Sequence, residues 1–181
     1  MQRIAIIDRA AMNVEQARVY DAAQKAGGPV GGPFYAYIRL PKLFEAAQNL
    51  RATLGSGPLS ARERQIVNLT VARAWNARYP WFAQARASLQ VGLSQAVIDA
   101  INARQTPDLP DARERTCFVV ARDMLATKGL SDATYAAAEK TMGLEDLVAL
   151  VAGVGQFSMT CLTAATFQIA PPADEPTPLR D

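Results

Sequence analysis

Between Gln65 and Gln84 the chain reads QIVNLTVARAWNARYPWFAQ, which brings a phenol, two arginines, two glutamines and two indoles into one short stretch. Tyr79 is the group there that could hand a proton to a substrate. A phenol ionises near pH ~10, so at neutral pH it is an acid or hydrogen-bond donor, and a base only where a neighbouring cation lowers that value. Its plainer role is to pack at a helix junction with the hydroxyl at the surface. Arg73 sits in an otherwise apolar segment and needs a partner, either a substrate carboxylate or an internal acid such as Glu63 or Glu45. Arg39 in YIRLP and Arg78 are further candidates for holding an anion. Trp75 and Trp81, the only tryptophans, could wall a planar or unsaturated substrate, or serve as core or subunit-interface residues. Gln65 shares a helical stripe with Leu69, Ala72 and Asn76. With Gln84 it can hydrogen-bond, but an amide cannot move a proton.

Composition removes several chemistries. The 181 residues contain no histidine, the side chain that most often serves as general base and as transition-metal ligand near neutral pH. Cys117 and Cys161 stand far apart in sequence with no partner motif, so no zinc ligand set is expected. Neither a Ser-His-Asp nor a Cys-His arrangement is possible. The two cysteines are expected as small core residues, not as a disulfide. Lysine and arginine total 19 against 17 acids, and no basic run interleaves with aromatics, which argues against nucleic acid as a partner. The four apolar residues between Arg3 and Asp8 are too few for a signal peptide, and with few cysteines this predicts a cytoplasmic protein. Residues 147–166 approach the length of a membrane span. Gln156, Ser158 and the threonines interrupt that run, and Glu145 and Asp146 flank its start, so a buried core helix and no membrane association are expected.

The elements that must position these residues are all helical. No strand-like alternation occurs, and helix start and stop signals recur. Half the chain is apolar, enough for one buried core in a single domain over 1–170. A first helix is expected over 13–26, ended by Gly27, Gly28 and Pro29. After the GGP turn at 31–33, FYAYIR reads as a short helical turn, and Pro41 opens the next helix. Ser60 and Glu63 form a capping box for a helix running to about Asn76. Pro80 suits the first turn of the following helix, leaving Arg78 and Tyr79 in the connection. Ser94 begins another helix, 112–129 a further one stopped by Gly129, and Ser131 caps the next as far as Gly143. A long helix rich in small residues covers about 144–169. The segment from Pro171 is proline-rich and charged and is expected to be disordered.

GGPFYAYIRLPKLFEAAQNLRATLG at 31–55, LSARERQIVNLTVARAWNARYPW at 59–81, VGLSQAVIDAI at 91–101 and LSDATYAAAEKTMG at 130–143 carry a resemblance spanning roughly 31–170. Together they resemble the longer, cysteine-free branch of the carboxymuconolactone decarboxylase and alkylhydroperoxidase-D superfamily. That resemblance implies an all-α, AhpD-like domain with an antiparallel helix-pair core, forming homo-oligomers, here a trimer or hexamer. Redox members carry Glu, eleven residues, Cys, two residues, Cys, three residues, His. Those places fall on Gln65, Ala77, Pro80 and Gln84, so the CxxC motif is degenerate and none of the four keeps its chemistry. Relatives of the cysteine-free branch show Tyr, Glu, Trp and then His three residues on. Tyr79 and Trp81 match, while Pro80 and Gln84 depart. In the family the positions of Gln65 and Gln84 face each other across a pocket.

Taken together, these readings predict a lyase of decarboxylase type, working without metal or cofactor on a small unsaturated organic acid or lactone. Tyr79 and Arg73 are its expected catalytic residues, and Gln65, Trp75, Trp81, Gln84 and Arg39 its substrate-binding residues. The alternative is a non-catalytic relative that keeps a small-molecule pocket or an assembly role. A thiol peroxidase is the least favoured reading, since no paired thiols remain to attack and resolve.

Overall fold

The computed structural model describes residues 2–172 and 178–180. Among these, every regular element is helical, as the missing strand alternation predicts. Helix α1 (Val14–Lys25) opens on a capping box between Asn13 and Gln16, and α2 (Phe34–Tyr37) is the short turn expected after the GGP sequence. Pro41 occupies the first turn of α3 (Pro41–Gly55), where its absent N–H leaves no bond unmade. Ser60 and Glu63 form the predicted capping box of α4 (Ala61–Ala74). Helices α5 (Arg78–Gln90), α6 (Gln95–Asn102), α7 (Ala112–Thr127), α8 (Asp132–Met142) and α9 (Leu144–Thr166) complete the described architecture.

Helix α9 ends at Thr166, three residues short of the expected 169, and two further boundaries differ from expectation for local reasons. Helix α5 begins at Arg78, so Tyr79 is helical and not part of the connection. Pro80 then stands third in the helix, where its N–H would still lack an intrahelical partner, and this first-turn position outweighs the bias of a pre-proline residue toward extended backbone. Helix α7 is stopped by Lys128, which takes the left-handed conformation at φ 65°, one residue before the expected Gly129. Gly143, at φ 83°, ends α8 and starts α9, a backbone angle that suits a residue without a Cβ.

Helix α4 is the centre of the domain and packs on α5, α6, α7 and α9. Ile66, Leu69, Val71 and Ala72 are fully enclosed, which is why its sequence shows little amphipathic contrast. Glu63 near its start is buried and tied to Arg113 of α7, which in turn pairs with Asp146 of α9. A second apolar cluster joins α1, α2 and α3 through Val19, Phe34, Tyr37, Phe44 and Ala47. There the Phe34 ring meets Tyr37 and Phe44 edge-on at 5.4 and 5.3 Å. Cys117 and Cys161 are free and fully buried in the main core, as small apolar residues would be.

Helix α9 is long and apolar enough to cross a membrane by length and composition alone. Its Leu147, Leu150, Val154, Phe157, Cys161 and Ala164 form one buried stripe, spaced three or four apart, laid against the rest of the domain. Its other face is exposed, with Leu144, Val148, Val151 and Leu162 in solvent, so the helix is a half-buried one and not the fully enclosed one its composition suggests. Of the proline-rich segment after Pro171, residues 173–177 lie outside the described ones. Pro178 and Arg180 hold Asn102 from two sides, through Asn102 Nδ2 to the Pro178 carbonyl and Arg180 N to Asn102 Oδ1, both 2.9 Å.

Candidate functional site

The two apolar clusters meet along α3, α4, α5 and α9, and a cavity of about 540 Å³ lies at that seam. This is a size that encloses a small organic molecule. Its floor is apolar, with Leu59, Val67, Val91, Ala149 and Phe157. Its polar groups come from four directions: Arg51 from α3, Arg64, Gln65 and Asn68 from α4, Tyr79 and Gln84 from α5, and Gln156 and Thr160 from α9.

Three of the residues singled out in the sequence reach this cavity. Gln65 and Gln84 both line it, but they do not pair with each other. Gln84 Oε1 accepts from Asn68 Nδ2 at 3.1 Å, and Gln65 Oε1 accepts from Ser88 Oγ at 3.4 Å. Each amide is therefore oriented by a neighbour, and Asn68, overlooked in the sequence, takes the role expected of Gln65. Tyr79 lines the cavity half-buried, with its ring lying over the glycines of the GGP turn. A Cβ built on Gly32 would stand 2.7 Å from Tyr79 Cδ1 and nearer still to Cε1, and one on Gly31 would stand 3.2 Å from the Tyr79 hydroxyl and 3.3 Å from that of Tyr35. Burial raises the pKa of the Tyr79 phenol, and the adjacent Tyr35 raises it further. Tyr79 is thus a protonated donor at neutral pH and no base.

Gly32 has φ +61° as well as this close contact. Gly32→Ala is expected to destabilise the fold by about 1–2 kcal/mol through left-handed strain and overlap with the ring. It should also displace Tyr79, and a loss of the protein's tyrosine near-ultraviolet dichroism alongside the lowered urea midpoint would report both effects. An unchanged midpoint would show that the turn is not what seats the ring.

The other candidates lie elsewhere. Arg73 is 6% exposed and points away from the cavity, donating from Nε to the Asn102 carbonyl at 2.7 Å and from Nη1 to Asn76 Oδ1. Among the described residues its partners include a backbone carbonyl and an amide, which tie the α4 end to α6, while Glu63 pairs with Arg113 and Glu45 with Arg18. Asn76, left-handed at φ 48°, supports that junction and also accepts from Arg104. Trp81 is fully buried in the main core and Trp75 packs against it, its Nε1 buried without a hydrogen-bond acceptor among the described residues. Neither indole walls the cavity. Arg39 is exposed and bonded to the carbonyls of Tyr35 and Ala5, and Arg78 opens α5 outside the lining. Ala77 and Pro80 are buried where the redox signature would place its cysteines, and only Pro80 touches the cavity. Besides Asn68, the lining residues the sequence did not single out include Arg51 and Arg64, which bring the site its positive charge.

Helix order, the central α4–α5 pair and the cavity beside it can be compared with solved structures. An uncharacterized peroxidase-related protein from Silicibacter sp. TM1040 superposes with TM-score 0.78 at 21% identity, covering 99% of this chain and 96% of that one. The alkylhydroperoxidase AhpD core of an uncharacterized peroxidase-related protein from Ralstonia eutropha JMP134 gives TM-score 0.75 at 20% identity, over 96% and 93%. The chain has the AhpD-like fold. A cysteine-to-alanine form of the debrominase Bmp8, in complex with 2,3,4-tribromopyrrole, shares this AhpD-like fold at TM-score 0.75 and 13% identity, over 96% and 95%. No protein-family model and no curated protein matches the sequence.

Proposed function

We propose that this protein is a carboxymuconolactone decarboxylase-like lyase, acting without metal or redox cofactor on a small unsaturated organic acid or lactone held in the α3–α4–α5–α9 cavity. The observation that carries the reading is the lining itself: two arginines, a protonated phenol and oriented amides around an apolar floor, with no carboxylate and no thiol among the described lining residues. In such a reaction the bond from carbon to the carboxylate breaks, carbon dioxide leaves, and the electron pair stays on the conjugated fragment. A low-dielectric cavity with fixed donors favours that spread of charge. Tyr79 Oη then gives its proton to carbon and regains one from water. The debrominase neighbour, in complex with a halogenated pyrrole, supports the view that this fold accommodates chemistry on small unsaturated molecules.

A thiol peroxidase fits poorly. Desolvation pushes the Cys117 thiol up to about 12, with Glu63 and Glu114 adding to it and Arg113 opposing, and burial raises Cys161 as well. Buried, protonated thiols outside the cavity are poor nucleophiles. The non-catalytic alternative differs from the lyase only in turnover. Incubating the purified protein with unsaturated carboxylic acids and lactones and following carbon dioxide release tests it: ligand binding without release by any of them would favour the binding-protein reading. We also infer a soluble, cytoplasmic homo-oligomer, a trimer or hexamer, and the exposed stripe of Leu144, Val148, Val151 and Leu162 on α9 supports helix packing between copies. Sedimentation equilibrium should give a mass above that of one chain, and Val148→Glu should lower it; a monomeric wild type would sink this part.

A further inference from the structure

Several arginines of this chain find carboxylates among the described residues. Arg9 pairs with Asp21, Arg18 with Glu15 and Glu45, Arg62 with Glu114, Arg113 with Glu63 and Asp146, and Arg122 with Asp123. The two at the cavity do not. Arg64 gives Nη1 to the Leu59 carbonyl and has no ion pair among the described residues. Arg51 has neither a hydrogen bond nor an ion pair among them. Both charges stand at one cavity whose described lining contains no acid to neutralise them.

We propose that Arg51 and Arg64 form an anion anchor that holds a carboxylate of the substrate, with the carbon skeleton lying on Leu54, Leu59 and Val67. This deepens the function proposed above by naming the group that is recognised, and it rests on that reading for the identity of the anion. The guanidinium is always charged and presents planar donors that match a carboxylate in two-point fashion. Arg51 keeps much of its side chain in solvent at the cavity edge, and the protein around it still disfavours its charge by desolvation. An arriving carboxylate relieves that cost. Arg64 and Asn68 stand four apart on α4, so the carboxylate held by Arg64 also lies within the turn that presents the amide.

Titration calorimetry with hexa-2,4-dienoate and benzoate, and with their methyl esters as neutral controls, tests the anchor on the intact protein. Both acids should bind, and both esters should bind at least about tenfold more weakly, ~1.4 kcal/mol. Arg51→Gln and Arg64→Gln should each weaken the acids by a similar factor and leave the esters unchanged. Arg9→Gln, remote from the cavity, should change neither. Raising salt should weaken the acids. Acid binding in the wild type should be level from about pH 6 to 8, because no histidine titrates there. Arg64→Gln gives up a bond to the Leu59 carbonyl and could fold poorly, but Arg51→Gln gives up none, so it alone can decide. No binding by either acid at millimolar concentration, esters that bind as well as acids, or an Arg51→Gln protein with unchanged affinity would each overturn the anchor. Arginine-dependent binding without turnover would leave the anchor standing and remove the lyase, whereas turnover with arginine-independent binding would do the reverse.

Discussion

Tyr79→Phe is expected to lower kcat on the acid or lactone that the wild type turns over by about a hundredfold or more, the usual worth of one positioned proton donor. Among the described lining residues Tyr79 is the most acidic neutral donor: the guanidiniums stay charged, the amides do not ionise, and the Thr160 hydroxyl is a far weaker acid than a phenol. Phenylalanine keeps the ring over Gly31 and Gly32, so the packing that seats this side chain is retained and only the oxygen is lost. KM should change little if binding rests, as proposed, on the arginines and the apolar lining. The pH profile provides a second check. Burial and Tyr35 raise the Tyr79 pKa above its ordinary value of 10.0, so the acid form persists throughout the neutral range and activity should fall only at strongly alkaline pH. A kcat that survives Tyr79→Phe would assign protonation to water. A rate that rises with pH through neutrality would mean that a base, and not this acid, limits the reaction.

Arg113→Ala is expected to destabilise the domain by about 2–3 kcal/mol near neutral pH, slightly below the range for removing one partner of a wholly buried pair. The discount follows from exposure: the Glu63 side chain is 6% exposed but that of Arg113 is 33%. Removing Arg113 strands two carboxylates, since its Nε bonds Glu63 at 2.7 Å and its Nη2 bonds Asp146 at 2.8 Å. It thereby loosens α7 from both α4 and α9. Acid should erase the difference. Desolvation alone would raise the Glu63 pKa, but the Arg113 and Ser60 hydrogen bonds together bring it below its ordinary value. A carboxyl group depressed in the folded state contributes stability above its unfolded pKa of about 4.3 and loses that contribution as pH falls through the folded value. Urea midpoints of wild type and Arg113→Ala should therefore differ at pH 7 and converge toward about pH 3. A constant gap across that range would show that packing by the arginine stem, not its charge, is what the fold uses.

The helices were legible because their signals are local. Ser60 with Glu63, Ser94, Ser131, Pro41 and Gly143 act through backbone groups within a few residues of themselves, so their positions in the sequence carry over to the structure. Where two local rules competed, the outcome was harder to read. At Tyr79-Pro80 the pre-proline bias opposed the tolerance of a helix's first turn, and the second prevailed. At the end of α7 a lysine took the left-handed position in place of the neighbouring glycine. The stripe of α9 shows a different limit: its composition is apolar on both faces, and composition does not say which face meets the domain.

The candidate site divides in the same way. Gln65, Tyr79 and Gln84 could be named because they occupy fixed turns of one helix pair and the resemblance attaches a role to those turns. An arginine in an apolar helix announces a need for partners without saying which, and for Arg73 they include the α6 backbone and Asn76. Arg51 and Arg64 were overlooked for the opposite reason. Arg64 stands among polar neighbours in SARERQ and Arg51 on an ordinary amphipathic helix in NLRATLG, where an arginine commonly faces water, and no periodicity separates them from Arg62 or Arg115.

By itself the sequence determined the all-helical architecture, the helix ends governed by caps and glycines, and the chemistry closed to a chain with no histidine and no paired thiols. Only the tertiary structure decided which faces of α3, α4, α5 and α9 enclose a common space, that two cations with no carboxylate partner among the described residues stand at it, and that Arg73 and both tryptophans do not. The reason is one of range. Capping and periodicity act within a few residues, whereas a cavity is set by side chains far apart in the chain, whose meeting depends on how whole helices pack.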